Sequence, residues 1–175
     1  MRPRLLLALA FLLALATPAV ADEPTPGEWR QVGLGYKLGN GIGFFGGDAI
    51  VCPFPHLCGD LQGAFLRIAT DSETAYGFGL APELQLQLFV GHHGTPYVGA
   101  GVNYAHIILG DATGEAFGVF ANVGYVYTFS FGLGLEVGVG GGYLSQAKAT
   151  SATSEVTMGG KAYFNIEAGL RYMIF

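Results

Sequence analysis

The chain has 175 residues, of which 51% are hydrophobic and 12% are charged, and its formal net charge is −5. Soluble domains usually carry about 25% charged residues, so the composition favours a membrane protein. Acidic residues outnumber basic ones by 13 to 8, which argues against a nucleic-acid-binding protein.

The first 21 residues have the features of a cleaved export signal. Residues 1–4 are basic, residues 5–16 form an apolar run without a charge, and Ala19-Val20-Ala21 supplies the small residues of a signal-peptidase site. The run is shorter than the ~20 apolar residues of a spanning helix, and Pro18 follows it. We therefore predict cleavage after Ala21 and a mature domain over residues 22–175.

Strict alternation of apolar and small-or-polar residues, typical of strands with two unlike faces, recurs through the mature chain. Residues 76–90 show it best: Leu80, Leu84 and Leu86 share a face that is long, apolar and nearly uncharged, which suits lipid better than water. No later segment is apolar enough for a spanning helix, so a lipid-embedded chain must close into a barrel. The alternation predicts eight strands, over residues 31–38, 42–52, 57–69, 76–90, 96–108, 117–129, 131–143 and 162–172.

The connections between these strands follow from turn-forming residues. Asn40-Gly41 is a hairpin signal, and the two prolines of residues 53–56 mark a turn. With a periplasmic N-terminus, residues 53–56, 91–95 and the region of Ser130 are periplasmic turns. Residues 39–41, 70–75, 110–115 and the Ser/Thr/Ala-rich stretch 145–157 are outer connections. Aromatic residues then form two belts, as in membrane barrels: an outer one of Tyr76, Phe78, Tyr104, Phe117 and Tyr143, and a periplasmic one of Tyr125, Tyr127, Phe129, Phe131 and Tyr172.

Together the export signal, the strand pattern and the terminal Phe175 resemble the small eight-stranded outer-membrane barrels of Gram-negative bacteria, the superfamily containing OmpA, OmpX and OmpW-like proteins. The resemblance covers the whole mature chain. It implies an all-β, eight-stranded antiparallel up-and-down transmembrane barrel in contact with outer-membrane lipid and lipopolysaccharide. It also implies that the barrel-assembly machinery recognises the last strand through Phe175, although Phe175 falls on the inward parity here.

The inward-facing residues limit what such a barrel does. Eight strands enclose a space that side chains just fill, so an open porin-like channel is not expected. Buried carboxylates need partners, and we expect Lys37 and Arg171 to meet Glu83, Glu136 and Glu167 in the lumen. Glu167 is four residues from Arg171, about 13 Å along one strand, so Arg171 should bridge to a neighbouring strand, with Glu136 as candidate. The predicted interior also includes Asp48, Asp60, Gln62, Gln85, Gln87, Asn103, Asn122 and Asn165.

Cysteine and histidine residues offer little further chemistry. Cys52 and Cys58 flank a short turn in an exported protein, which predicts a disulfide rather than a metal site with His56. His92 and His93 lie in a Gly-flanked turn, where solvent exposure is expected. We expect no catalytic residue, no metal and no cofactor.

These observations favour a non-enzymatic barrel with a structural, adhesive or surface-interaction role. Three alternatives stay open. The first is an enzyme acting on lipid A or phospholipid, with His106 or the loop residues Asp111, Glu115 and Ser145; outer-membrane lipid A deacylases, which the chain resembles in size, have Ser two residues after a lipid-facing His, where this chain has Ile108. The second is a narrow channel or carrier that uses the space left by inward glycines. The third is a secreted lipocalin-like barrel with the apolar row inside.

Overall fold

The structure, a computed structural model, describes residues 32–39, 45–69, 74–88, 94–151 and 153–174. Within these residues there is no helix long and apolar enough to cross a membrane. The regular elements are strands, with the bounds β1 Val32–Leu38, β2 Phe45–Phe54, β3 Leu57–Ala69, β4 Thr74–Gln87, β5 Gly94–Leu109, β6 Ala112–Thr128, β7 Leu133–Thr150, β8 Glu155–Met158 and β9 Lys161–Ile174.

Eight of these strands close into a ring. Each strand from β1 to β7 pairs antiparallel with the next, β7 also pairs with β9, and β9 pairs with β1. The short strand β8 pairs with β7 and lies beyond the ring. The predicted all-β, eight-stranded antiparallel barrel is therefore confirmed.

The two faces of the wall differ as the alternation predicts. Large apolar side chains on the outer face are exposed, among them Leu34 at 55%, Leu84 at 65% and Val137 at 60%. Their neighbours on the inner face include Lys37 and Glu136, both at 1% or less. Soluble proteins rarely expose contiguous apolar surface on this scale, and an apolar outer wall around a polar interior is the arrangement of a transmembrane barrel. It is the opposite of the lipocalin-like alternative.

The two ends of the barrel are distinct. At the disulfide end, Val32 pairs with Ile174 and Cys52 is bonded to Cys58. At the opposite end, which we call the hairpin end, β5 and β6 are joined by a turn at Gly110 and Asp111, where Gly110 has a positive φ of 56°.

The hairpin end corrects two predictions. The connection predicted over residues 110–115 is a two-residue turn, and the loop predicted over 145–157 is mostly a second hairpin, in which β7 runs to Thr150 and β8 returns. The Ser, Thr and Ala content of this stretch indicated a loop. However, its side chains still alternate and strand pairing satisfies its backbone, so the strands continue. The predictions for residues 1–21, Asn40-Gly41, His92-His93 and Phe175 fall outside the described residues.

The outer wall carries its first charged groups close to the hairpin end. On adjacent strands, His106 pairs with Glu115, and Glu115 pairs with Lys148. Charges on the lipid face are tolerated only near the membrane interface. The belt residues Tyr104 and Phe117 lie two positions closer to the disulfide end and mark the edge of the apolar band. Along β6, Phe117 and Tyr127 of the periplasmic belt are ten residues apart. At a strand tilt of ~40° this separation corresponds to about 25 Å along the barrel axis, which matches the height of the apolar band of membrane barrels.

Candidate functional site

Seven charged side chains from six strands meet in the middle of the lumen, and we call this set the interior charge network. All seven are 5% exposed or less. Each lies at an inward position of its strand, because side chains alternate between the two faces and the residues before and after it point outward. The members are Lys37 of β1, Asp48 of β2, Asp60 of β3, Glu83 of β4, Glu136 of β7, and Glu167 and Arg171 of β9.

Lys37 is at the centre of the network. Its Nζ lies 2.7 Å from Glu136 Oε1, 2.9 Å from Asp60 Oδ2, and 3.3 Å from both Glu83 Oε2 and Glu167 Oε2. An ammonium group has three protons to donate, so four carboxylates share three donors. The side chain is fully buried, and these contacts are its replacement for water.

Arg171 forms the second cationic centre. Its Nη2 contacts Glu136 Oε2 and lies 3.2 Å from Asp48 Oδ2 and 3.4 Å from Asp60 Oδ2. The structure thus places the guanidinium against Glu136 on the neighbouring strand β7, across the Gly134–Arg171 register of the β7–β9 pair. Glu136 and Asp60 contact both cations and therefore connect Lys37 to Arg171.

Neutral hydrogen-bonding side chains surround the charges. The Tyr97 hydroxyl lies 2.8 Å from Glu136 Oε1 and also contacts Glu167 Oε1; its one proton serves a single carboxylate at a time. Asn122 Nδ2 donates to Glu167 Oε2 at 3.0 Å. Gln85 Nε2 lies 3.3–3.5 Å from Asp60, Glu83 and Glu136. Tyr97 alternates with the apolar residues of β5 and so faces inward, but nothing in the sequence indicated that its hydroxyl bonds carboxylates.

The network is formally unbalanced, with five carboxylates for two cations. Several of its atoms have no hydrogen-bond partner, including Asp48 Oδ1, Glu83 Oε1 and the Nε and Nη1 of Arg171. Unpaired charge in a dry interior is costly. Removal of Lys37 or Arg171 should therefore destabilise the barrel far more than removal of one carboxylate.

Apolar layers lie on both sides of the network. Toward the disulfide end, Ile50, Cys52, Cys58 and Met173 form one buried cluster. Toward the hairpin end, Ala64, Ala81 and Phe120 form another, with Tyr163 packed against it. The Tyr163 hydroxyl accepts a hydrogen bond from Asn103 Nδ2 at 2.6 Å, which anchors the ring across the lumen.

Inward glycines receive the long side chains of other strands. A Cβ on Gly99 would meet the Glu83 carboxylate, one on Gly138 would meet Glu167, and one on Gly142 would meet the Tyr163 ring. The space that the channel alternative assigned to these glycines is occupied by side chains at these three positions.

The disulfide closes the β2–β3 hairpin. Cys52 and Cys58 are six residues apart, with Cα atoms separated by 4.0 Å, and Cys52 lies within the register shift between Val51 and Phe54. His56 Nδ1 donates to the Gln87 carbonyl oxygen at 3.0 Å. Among the residues that the structure describes, no group of three His, Cys, Asp or Glu side chains is placed to hold a metal ion.

The residues proposed for lipid chemistry lie on the outer wall near the hairpin end. His106 Nδ1 is 3.3 Å from Glu115 Oε1, and the Tyr104 hydroxyl donates to the same oxygen at 3.4 Å. Asp111 lies in the β5–β6 turn. Ser145 is on β7, separated from His106 by β6, and its hydroxyl donates to the Phe117 carbonyl oxygen. The structure therefore brings together a His–carboxylate pair but does not add Ser145 to it.

No protein-family model matches the chain, and no curated protein matches it in sequence. The fold is similar to that of the crystal structure of Acinetobacter baumannii CarO, with a TM-score of 0.50 and 12% sequence identity, over 85% of this chain and 100% of the CarO chain. A likeness at this identity concerns the fold, because function resides in sites that folds carry. The chain is thus a small eight-stranded barrel with the architecture found in CarO, and its function must be argued from its own side chains.

Proposed function

We propose that the protein is a small, non-conducting outer-membrane barrel with a structural or surface-interaction role, inserted with its hairpin end toward the cell exterior. The observation that carries this proposal is the interior charge network. It fills the lumen with buried, ion-paired side chains and has an apolar layer on each side.

The physical argument against conduction is the cost of opening the network. A hydrated path would have to separate Lys37 from four carboxylates and Arg171 from three. Breaking a buried ion pair typically costs about 3–5 kcal/mol. The path would also have to bring water into the two layers of mostly apolar side chains that contain Met173 and Phe120.

The proposed orientation follows from the unequal ends. Outer-membrane barrels have short periplasmic turns and longer outer extensions, and the long strands β5, β6 and β7, with the short strand β8, extend at the hairpin end. Both described chain ends, Val32 and Ile174, then lie on the periplasmic side. The partners that we propose are outer-leaflet lipid and lipopolysaccharide, with the barrel-assembly machinery recognising the last strand. Kinship with the OmpA, OmpX and OmpW-like barrels is part of this proposal.

Conductance tests the closed lumen. The purified protein in a planar lipid bilayer should give no discrete current steps across ±100 mV, while a large porin inserted in the same bilayers serves as the positive control. Regular single-channel steps from the wild-type protein would reject the non-conducting barrel in favour of the channel alternative.

Lipid analysis tests the absence of enzymatic activity. Mass spectra of lipid A and phospholipid should be identical between a deletion strain, the complemented strain and a strain complemented with His106→Ala. An acyl-chain difference that the wild-type gene restores and His106→Ala does not restore would assign the enzyme function instead.

A further inference from the structure

The lipid-facing wall has a depression that crosses strands β1 to β4, with a volume of about 490 Å³. Its floor lacks large side chains, because Gly47, Ala49 and Gly63 occupy outward positions of β2 and β3. We call this depression the wall groove. Its margins are exposed side chains of the same outward parity: Leu34, Tyr36, Leu61 and Leu80.

The glycines of the wall groove leave open space on the outer face. A Cβ built on Gly47 would have its nearest neighbour 4.0 Å away, at the Gly35 carbonyl oxygen. For Gly63 the nearest atom would be Leu80 Cδ2, at 3.6 Å. An inward glycine such as Gly99 differs, because the side chain of another strand fills its place. An unfilled void costs its lining atoms their dispersion contacts, so the wall groove favours an occupant from outside the barrel.

The depth of the wall groove indicates what that occupant is. On β3, Gly63 lies four residues from Arg67 toward the disulfide end, about 13 Å along the strand and about 10 Å along the barrel axis at a tilt of ~40°. Arg67 pairs with Tyr76 of the outer aromatic belt and therefore lies at the membrane interface. One leaflet of hydrocarbon is about 15 Å thick, half of the bilayer core. An acyl chain whose headgroup lies at Arg67 therefore reaches the wall groove.

Arg67 supplies a charge for such a headgroup. Its guanidinium carbon lies 6.0 Å from the centre of the Tyr76 ring, and it contacts no carboxylate among the residues that the structure describes. Lys148, the cation on the outward face of β7, is by contrast paired with Glu155 at 3.1 Å. A guanidinium binds phosphate oxygens through two parallel N–H donors. Arg67 is therefore suited to the phosphate group of a lipid.

An aromatic side chain connects the cation to the wall groove. Phe65 lies between Arg67 and Gly63 on the outward face of β3 and is 68% exposed. It pairs with Phe78 of β4, and its ring centroid is 6.5 Å from that of Tyr76. From the interface inward, the outer face of β3 thus presents a cation, an aromatic ring and a groove. This order matches the phosphate and the acyl chain of one lipid molecule.

We propose that Arg67 and the wall groove bind one molecule of lipid A, with a phosphate on the guanidinium and an acyl chain in the groove. The inference rests on the orientation proposed above, which places Arg67 in the outer leaflet with lipopolysaccharide. A phospholipid has the same two groups, and the leaflet favours lipid A. Within a bilayer the hydrophobic effect does not distinguish one acyl chain from another. The affinity therefore derives from the charged hydrogen bonds and from packing of the chain in the groove.

Native mass spectrometry measures this binding in two ways. Protein extracted in mild detergent from outer membranes should carry one lipid A-containing molecule per barrel. Purified, lipid-free protein in micelles is then titrated with bisphosphorylated lipid A and with lipid A from which both phosphates have been removed. We expect saturable binding of one molecule and a preference of about tenfold for the phosphorylated form, as for one charged hydrogen-bonded contact.

Two matched pairs of variants test the two parts of the site, with folding checked by circular dichroism. Arg67→Gln should lower the affinity for bisphosphorylated lipid A about tenfold, whereas Lys148→Gln removes a cation that is already paired and should not. Gly63→Leu fills the wall groove and should lower the affinity about fivefold, equivalent to about ten lost atom contacts. Gly59→Leu is its control, because Gly59 lies on the same face of β3 outside the groove and a Cβ on it would meet nothing within 4 Å.

Equal effects within either pair, or equal binding of the two forms of lipid A, would overturn the inference. A phospholipid that co-purifies with wild type but not with Arg67→Gln would also overturn it and assign the site to phospholipid. Dimers that Gly63→Leu abolishes would overturn it and assign the wall groove to a second copy of the chain.

The orientation on which the inference rests is tested separately. Asp111→Cys, in the β5–β6 turn, should react with a membrane-impermeant maleimide on intact cells. Labelling only after the cells are lysed would overturn the proposed orientation and, with it, lipid A as the occupant, even where the purified protein still binds the phosphorylated lipid. Labelling on intact cells without the effects of Arg67→Gln and Gly63→Leu would overturn the inference alone.

Discussion

Replacing Arg171 should destabilise the barrel more than replacing Arg171 and Glu136 together. Arg171 is 2% exposed and its Nη2 contacts three carboxylates. In Arg171→Met, five buried carboxylates would face Lys37 as the one remaining cation of the interior charge network.

The magnitude follows from two opposing terms. A pair of charges at this separation attracts by about 4–5 kcal/mol at an effective dielectric constant near 20, and three such pairs are offset by the cost of removing the guanidinium from water. Measured losses for one partner of a buried pair are about 3–5 kcal/mol, and we expect that loss in the free energy of unfolding for Arg171→Met. Adding Glu136→Gln removes one stranded carboxylate and should restore about 1–3 kcal/mol.

The assay is reversible urea unfolding from lipid vesicles, monitored by circular dichroism, on wild type, both single variants and the double variant. The Lys148–Glu155 pair provides the control, because its side chains are 38% and 55% exposed and exposed pairs contribute under about 1 kcal/mol. An additive cycle for Arg171 and Glu136, with the double variant as unstable as the sum of the singles, would refute the network as an energetic unit.

Three further predictions concern the wall, the disulfide and localisation. Val123→Arg, on the lipid face of the membrane band, should lower the free energy of unfolding in vesicles by about 2–4 kcal/mol, whereas Thr113→Arg beyond the belt should change it little; equal costs would contradict the assigned band. Cys52→Ala/Cys58→Ala should lose about 2 kcal/mol, the value for closing so short a loop, and reductant should reproduce the loss in the wild type alone. In cell fractionation the protein should appear in the outer membrane, with its N-terminus at Asp22 by sequencing, and require detergent for release; folded protein in the soluble periplasm would contradict the barrel's membrane placement.

Much of the fold follows from side-chain alternation, because a period of two determines which face each residue occupies. The alternation alone predicts that Leu34 and Leu84 lie on the outer face and that Lys37 and Glu83 lie on the inner face. The exposures of these residues alternate in the structure as the parity requires.

The partners within the lumen depend on strand register, which alternation does not specify. Lys37 meets Glu136 and Glu167, which are distant in sequence, only because the ring closes with one particular stagger of β1 against β9. Asp48 and Asp60 were expected inside the barrel but not as contacts of Arg171, for the same reason.

The prediction of a loop over residues 145–157 was wrong because it relied on the Ser, Thr and Ala content of this stretch rather than on the alternation of its side chains. Ala147 and Ala149 alternate with Lys148 and Thr150 as regularly as any membrane strand, and threonine favours strands. One polar row was also visible in part in the sequence, because His106 and Glu115 occupy positions of the outward parity that carry apolar residues elsewhere on their strands.

Closure of the ring between β1 and β9 has a consequence for how the barrel forms. Leu38 pairs with Ala168 and Val32 with Ile174, so the first described strand finds its second neighbour only after nearly the whole chain has been made. Contacts between such distant positions give a high contact order, which slows folding because the loop-closure entropy must be overcome before the pairing gains anything. Until β9 arrives, β1 is an open edge available to other chains, and Lys37 lacks Glu167. A chain truncated before Lys161 should therefore aggregate rather than form a smaller barrel.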